Sequence, residues 1–406
     1  MVNDPLESLA IFGATPAFNE QLHVGRPNIG DRAKLLARIN KILDDRWLTN
    51  NGPFVQELER RIAETAGARH CIAMCNATVA LEIVIRALEL SGEVIVPSFT
   101  FVATAHALQW LEITPVFCDI DPKTHNLDPA RVEQLVTPRT SGIIGVHLWG
   151  RACDVAAVTE IATSHELKLI FDAAHAFGCS HRGTMVGSFG DAEVFSFHAT
   201  KFFNSFEGGA VVTNKDELAK KIRLMKNFGF AGYDDVVYVG TNGKMTEVSA
   251  AMGLAGLEAL DEFIAINRRN YEQYRQALAG VAGVSLLTYD EREKCNYQYI
   301  VLEIDETVTG ISRDQVMEIL WAENALVRRY FYPGCHRMEP YRSLFPDAGL
   351  LLPETNRLTA RVLVMPNGSA VSPEDIATLC GIIRTVVENG ALVSGRLKQS
   401  AASRSA

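Results

Sequence analysis

Leu167-Lys168-Leu169-Ile170-Phe171-Asp172 is a short, almost continuously apolar run that ends on a carboxylate and is followed at once by Ala173-Ala174-His175-Ala176. Apolar residues at consecutive positions, with no alternation, are what a strand shows when both faces of its sheet are covered. Four more runs of this kind surround it: Glu93–Pro97, Pro115–Asp119, Gly142–His147 and Ala192–Phe197. Amphipathic stretches lie between them, among them Ala130–Val136 and Asp154–Ser164, with the spacing of crossover helices. Gly208–Thr213 reads as one further strand of the same sheet. The fold class is therefore α/β, a large domain with a mostly parallel central sheet sandwiched by helices.

Beyond this region a helical pattern runs from about Thr246 to Leu278, long enough for one helix or two in series. A strand at Tyr297–Ile304, a helix at Ser312–Asn324, a strand at Val362–Met365 and a helix at Ser372–Val387 then describe a small α+β C-terminal domain. The expected division is 1–255 for the large domain with an N-terminal arm, 256–390 for the small one, and a disordered Ser- and Ala-rich tail at 391–406.

The 406 residues carry a net charge of −9 with a pI near 5.6, which argues against a nucleic-acid-binding surface. No signal sequence and no apolar run of about 18 residues is visible, so a cytoplasmic protein without a membrane span is expected. The eight cysteines are scattered and lack zinc-site spacing; they read as reduced, buried thiols, and no metal site is expected.

Open α/β sheets bind ligands at the carboxyl ends of their strands, so polar residues placed there are the first candidates. Asp172 is either an N-cap for a following helix or a carboxylate that holds a ligand ring nitrogen in its protonated state. Lys201 closes the run Val194–Thr200 and is flanked by Phe197, Phe202 and Phe203. Desolvation would lower its pKa and supply a neutral, nucleophilic amine, whereas a lysine snorkelling to the surface is the plainer reading. Asn76-Ala77-Thr78 opens the apolar helical run Val79–Leu90, either as a simple capped start or as a phosphate seat. Phe101 taken alone reads as core.

Together these segments resemble the DegT/DnrJ/EryC1/StrS family of sugar aminotransferases, a branch of the fold-type I pyridoxal 5′-phosphate (PLP) enzymes. The resemblance extends from about Val24 to about Val387. It rests on Gly25–Gly30, Trp47-Leu48-Thr49 with Gly52, Pro97–Ala105, Val146–Gly150, Asp172–Gly178, Ser196–Lys201, Glu207-Gly208-Gly209, Gly240–Glu247 and Tyr330–Tyr341, which occur in the family's order.

Position by position, the resemblance implies that Lys201 carries the cofactor as a Schiff base and shuttles the proton. Asp172 would pair with the pyridinium nitrogen, His175 would bond the phenolic oxygen and Phe101 would stack on the ring. Ala77, Thr78 and Ser196 would hold the phosphate, and Asn242 would reach it from the neighbouring subunit, which implies a homodimer with shared active sites. Arg329, Tyr332 and His336 are the candidates beside the nucleotide sugar.

The implied reaction moves an amino group from L-glutamate to a nucleotide-diphosphate keto-sugar through pyridoxamine 5′-phosphate. C4 of a dTDP-4-keto-6-deoxyhexose is the expected acceptor, with C3-acting enzymes as the alternative. A non-catalytic PLP-binding regulatory protein is the alternative of another class. Relatives that remove a sugar hydroxyl carry histidine where Lys201 stands, which favours transamination. Two positions depart from the family pattern: Asn76-Ala77-Thr78 lacks the usual glycine, and Phe206 replaces the glycine before Glu-Gly-Gly, which would narrow the site.

Overall fold

The computed structural model describes residues 5–405. Its large sheet has seven strands: β1 (His70–Met74), β2 (Glu93–Pro97), β3 (Thr114–Cys118), β4 (Thr140–Val146), β5 (Lys168–Asp172), β6 (Ala192–Ser196) and β7 (Gly209–Thr213). Their spatial order is β1-β7-β6-β5-β4-β2-β3, and every pairing is parallel except those of β7, which runs antiparallel to β1 and β6. The mostly parallel sheet is thus as expected. The chain steps outward from β2 to β3 and then returns to β4 on the other side of β2. This reversal opens a crevice at the carboxyl ends of β2 and β4.

Among the described residues the helices of this half and the linker are α1 (Arg32–Asp45), α2 (Pro53–Ala66), α3 (Ala77–Ala87), α4 (Ala103–Gln109), α5 (Pro129–Leu135), α6 (Val155–Ser164), α7 (Asp216–Met225), α8 (Glu247–Glu258) and α9 (Leu260–Ala277). On one face α3, α4 and α7 pack on Val94, Val96, Ile144, Ile170 and Val194. On the other, α2 and α8 cover Ala73, Phe195 and Val212, while α5 and α6 cover Ile95, Ile143 and Leu169. Neighbouring residues of one strand therefore serve opposite cores, which explains the unbroken apolar runs. Each fully buried Val, Leu or Ile contributes roughly 1.5–3 kcal/mol, so the strand ends are held by a firm scaffold.

The C-terminal part has a three-stranded antiparallel sheet of β8 (Val284–Leu286), β9 (Ile300–Ile304) and β10 (Val362–Met365). It packs with α10 (Arg313–Ala322) and α11 (Pro373–Glu388). In α11, Ser372 Oγ accepts the Asp375 N–H, and the Asp375 carboxylate accepts the Ser372 N–H, a reciprocal cap. The long helical pattern resolves into α8 and α9, and α9 joins the two cores through Phe263 on one side and Tyr271 and Tyr274 on the other.

Two features differ from expectation. The N-terminal arm belongs to the small-domain core, where Leu6, Leu9, Phe18 and Leu22 are buried. The Ser- and Ala-rich tail forms α12 (Gly390–Ser405) instead of being disordered: Val393 is buried, and Ser394 Oγ accepts a hydrogen bond from Gln315 Nε2 at 3.0 Å. Ala406 lies outside the described residues. Among those described, no single helix is long and apolar enough to cross a membrane; only the sharply bent pair Pro373–Glu388 and Gly390–Gln399 passes on length and composition.

Candidate active site

A cavity of about 580 Å³ opens at the carboxyl ends of β2, β4, β5 and β6. Its walls include Thr100 and Phe101 after β2, Asp172 at the end of β5, Ser196 at the end of β6, and Lys201. The start of α3 closes one side with Asn76, Ala77 and Thr78. Asn76 Oδ1 caps the Val79 N–H at 2.9 Å and its carbonyl accepts the Ala80 N–H. Among the described residues the N–H groups of Ala77 and Thr78 have no partner, so two donors and the positive end of an eleven-residue helix remain for an anion. Gly209 passes so close that a Cβ there would sit 2.7 Å from the Ala77 nitrogen. Glycine is required at 209, not at 76–78, which answers the missing glycine in Asn76-Ala77-Thr78.

Asp172 forms the floor. It is buried, and its Oδ2 accepts the Thr104 hydroxyl at 2.8 Å while Oδ1 accepts the Ala174 N–H at 3.1 Å. No helix follows it, so the N-cap alternative does not apply. Burial pushes its carboxyl above the ordinary value, opposed by the Thr104 and Ala174 hydrogen bonds and the charge of Lys201. Burial likewise pulls the Lys201 amine down to about 8, with Asp172 acting the other way. Lys201 Nζ donates to the Tyr299 hydroxyl at 3.4 Å. His175 is buried beside them, and burial, helped by the positive charge of Lys201, holds its imidazole well below the usual value, so it is neutral at pH 7.

Seven of the eight expected cofactor-site residues, Ala77, Thr78, Phe101, Asp172, His175, Ser196 and Lys201, line this cavity, whereas Asn242 lies exposed away from it. The expected nucleotide-sugar set does not converge there. Arg329 is paired with Asp314 at 3.0 Å and lies over the Tyr332 ring. His336 is 3% exposed, with Nδ1 at 2.7 Å from Ser98 Oγ and Nε2 at 3.1 Å from Asn356 Oδ1, so both ring nitrogens are engaged. From the same segment it is Tyr330 and Phe331 that line the cavity. Phe206 is not among the lining residues either and does not narrow the cavity; it adopts a left-handed φ of 62° where glycine would be free of strain.

Thr104, Tyr299, His198 and Glu207 are site residues that sequence reasoning passed over. Thr104 has a local signal, since it follows Phe101 by three residues at the start of α4. Tyr299 comes from the distant small domain, just ahead of β9, and nothing near it in sequence points to the cavity. The assembled site offers an anion seat at one end, a buried acceptor at the floor and a partly neutral amine between them. That set can hold a planar, phosphorylated ring with a basic nitrogen and present an amine to it.

The chain is similar to known proteins over most of its length. The model of the DegT/DnrJ/EryC1/StrS aminotransferase family matches residues 30–384. The chain is 36% identical to the dTDP-4-amino-4,6-dideoxy-D-glucose transaminase of Escherichia coli over 368 residues, 90% of this chain and 98% of that one. It is 38% identical over 311 residues to the GDP-perosamine synthase of Caulobacter vibrioides, covering 75% and 83% of the two chains. A crystal structure of DesI in the presence of its TDP-sugar product superposes with a TM-score of 0.93 at 51% identity, covering 97% of this chain and 100% of that one.

Proposed function

The chain belongs to the DegT/DnrJ/EryC1/StrS aminotransferase family, whose members are PLP-dependent, and from that premise we propose that it carries the amino group of L-glutamate to C4 of a dTDP-4-keto-6-deoxyhexose. The observation that carries the chemistry is the half-buried Lys201 amine, lowered to about 8, beside a buried Asp172. The 4-amino-sugar named for the Escherichia coli relative and the TDP-sugar product of DesI support the choice of acceptor.

The residues present fit PLP. A buried carboxylate with no ion-pairing side chain among the described residues is costly unless a cation meets it, and a pyridinium nitrogen is such a cation. The open N–H groups of Ala77 and Thr78, with Ser196, suit the phosphate. Asp172 would pair with the ring nitrogen, His175 with the phenolic oxygen, and Phe101 would cover the ring. When bound, the cofactor supplies an electron sink next to the carbon that bears the amino group.

Lys201 Nζ binds the cofactor and afterwards moves the proton. With a pKa of about 8, about a tenth of the amine is neutral at pH 7, against well under a thousandth for an ordinary lysine. Asp172 holds a positive charge at the floor, and Thr104 orients the carboxylate that does so. Tyr299 and Phe331 make the inner wall apolar, and the buried Trp149 backs it by stacking on Phe331 at 5.5 Å.

We also propose a cytoplasmic homodimer with two shared active sites. Asn242 stands outside this chain's own cavity, and a surface segment beside it exposes Phe228, Phe230, Val236, Val237, Tyr238 and Val239, an apolar strip that a second copy would cover. Mixing Lys201→Ala and Asn242→Asp chains tests the sharing, since only a hybrid would rebuild one intact site. Activity should return to a quarter or so of wild type by random re-pairing of subunits; no recovery in verified hybrids would refute a shared site.

The acceptor is tested with synthetic 3-keto and 4-keto dTDP sugars, using L-glutamate and identifying the amine by NMR. Product aminated at C4 is expected. Turnover of the 3-keto sugar alone would establish the C3 alternative instead.

A further inference from the structure

The segment His147-Leu148-Trp149-Gly150, which follows β4, has a role that the reaction scheme leaves open. Trp149 has φ 61° and ψ 13°, a left-handed conformation that a bulky L residue rarely adopts. The surroundings determine it on several sides. Its indole is fully buried, Nε1–H donates to His125 Nδ1 at 3.3 Å, and the ring stacks on Phe331. Its carbonyl accepts the Tyr289 hydroxyl at 3.0 Å. Gly150 continues the turn at φ 82°, where a Cβ would come 3.1 Å from the His175 carbonyl oxygen.

This turn aims the Trp149 peptide N–H at His175 Nδ1, 3.3 Å away. An amide N–H can only donate, so Nδ1 must be an unprotonated acceptor. His175 is neutral, so its one ring proton sits on Nε2. The ring cannot readily turn over: it lies against Tyr299, Trp149 and Phe331, at centroid distances of 4.5, 5.8 and 5.9 Å. Among the described residues Nε2 has no partner, and His175 lines the cavity.

We propose that Trp149 is a positioning residue whose left-handed peptide fixes His175 as the Nε2–H tautomer, so that the cavity is offered a neutral hydrogen-bond donor and not an acceptor. The recipient, the phenolic oxygen of the cofactor, rests on the function proposed above; the tautomer itself does not. The opposite tautomer would set two N–H groups against each other at Trp149 and leave a lone pair facing an oxygen.

The test is long-range ¹⁵N–¹H correlation on histidine-labelled, cofactor-free protein at neutral pH, with His175 assigned by its loss in His175→Ala. Nδ1 should resonate as an unprotonated nitrogen and Nε2 as a protonated one; the reverse would overturn the proposal. A second arm replaces Trp149 by its α-hydroxy analogue, which turns the amide into an ester; this deletes the N–H and also weakens the Leu148 carbonyl that accepts the Arg151 N–H, a loss common to both backgrounds below. Transamination should fall about tenfold in the His175 chain, the size of one hydrogen bond, but less than about twofold in His175→Ala. An equal loss in both backgrounds would show a merely structural role. If the unmodified enzyme showed no transamination, the functional reading would fail while the tautomer result would stand.

Discussion

At the floor of the cavity Asp172 ends β5, Thr104 lies in α4 and His175 is buried in the turn after β5 between buried Ala173 and Ala176, whereas at its mouth Phe101, His198 and Glu207 stand on loops and are open to solvent. The floor groups have fixed partners: Thr104 on Asp172, Ala174 on Asp172, Trp149 on His175. At the mouth the partners are themselves exposed: His198 Nδ1 lies 2.8 Å from Thr200 Oγ1, two residues on, and its Nε2 3.4 Å from Glu207. A reaction that needs one charge state at each atom is built on the first kind of support. Selection among bulky sugar nucleotides is left to the second, where side chains can adjust.

The largest effect should come from the floor. Lys201→Ala should lower the transamination rate by at least about 10⁴-fold while leaving the thermal midpoint nearly unchanged, since no core contact is lost; steady-state rates and a melting curve check both halves. Asp172→Asn keeps the shape but removes the charge, and kcat should fall by about 10²–10³-fold. Next is a pH effect. Because burial lowers Lys201 to about 8, the neutral fraction rises with pH up to that value and then levels off. The rate at which apoprotein takes up PLP should therefore climb about fiftyfold from pH 6 to pH 8 and little beyond; a rise continuing past pH 10 would mean an ordinary lysine. At the mouth, Tyr330→Ala should raise KM for the sugar nucleotide about tenfold with kcat changed less than about threefold. If kcat fell as steeply as at the floor, the distinction between the two ends would not hold.

The same division governs what could be read from the sequence. Strands β2 to β6 announce themselves because both faces are covered, and Asp172 at the end of β5 follows from that, whereas Ser196 at the end of β6 comes only from the family resemblance. β1 was missed: His-Cys-Ile-Ala-Met begins with a polar residue and lacks a long apolar run. α1 and α2 were also passed over, although Asp31 caps the first and Pro53 opens the second. The rest of the site is less legible because its members come from far apart. Tyr299 reaches Lys201 across 98 residues, and what removes His336 from the site is its bonding to Ser98 and Asn356, partners that no local pattern reveals. The tail misled for a related reason: its Ser and Ala residues gave no sign that Val393 would be buried against the small-domain core.

The central claim is that Lys201 and its buried neighbours make this chain a PLP-dependent aminotransferase that takes its amino group from L-glutamate. The most direct measurement is the visible absorption spectrum of the protein reconstituted with PLP, before and after L-glutamate is added, alongside Lys201→Ala. A visible band that glutamate bleaches into the near-ultraviolet, and that Lys201→Ala never forms, is the predicted result. A bound-PLP band indifferent to glutamate, or one that forms equally well in Lys201→Ala, would contradict it.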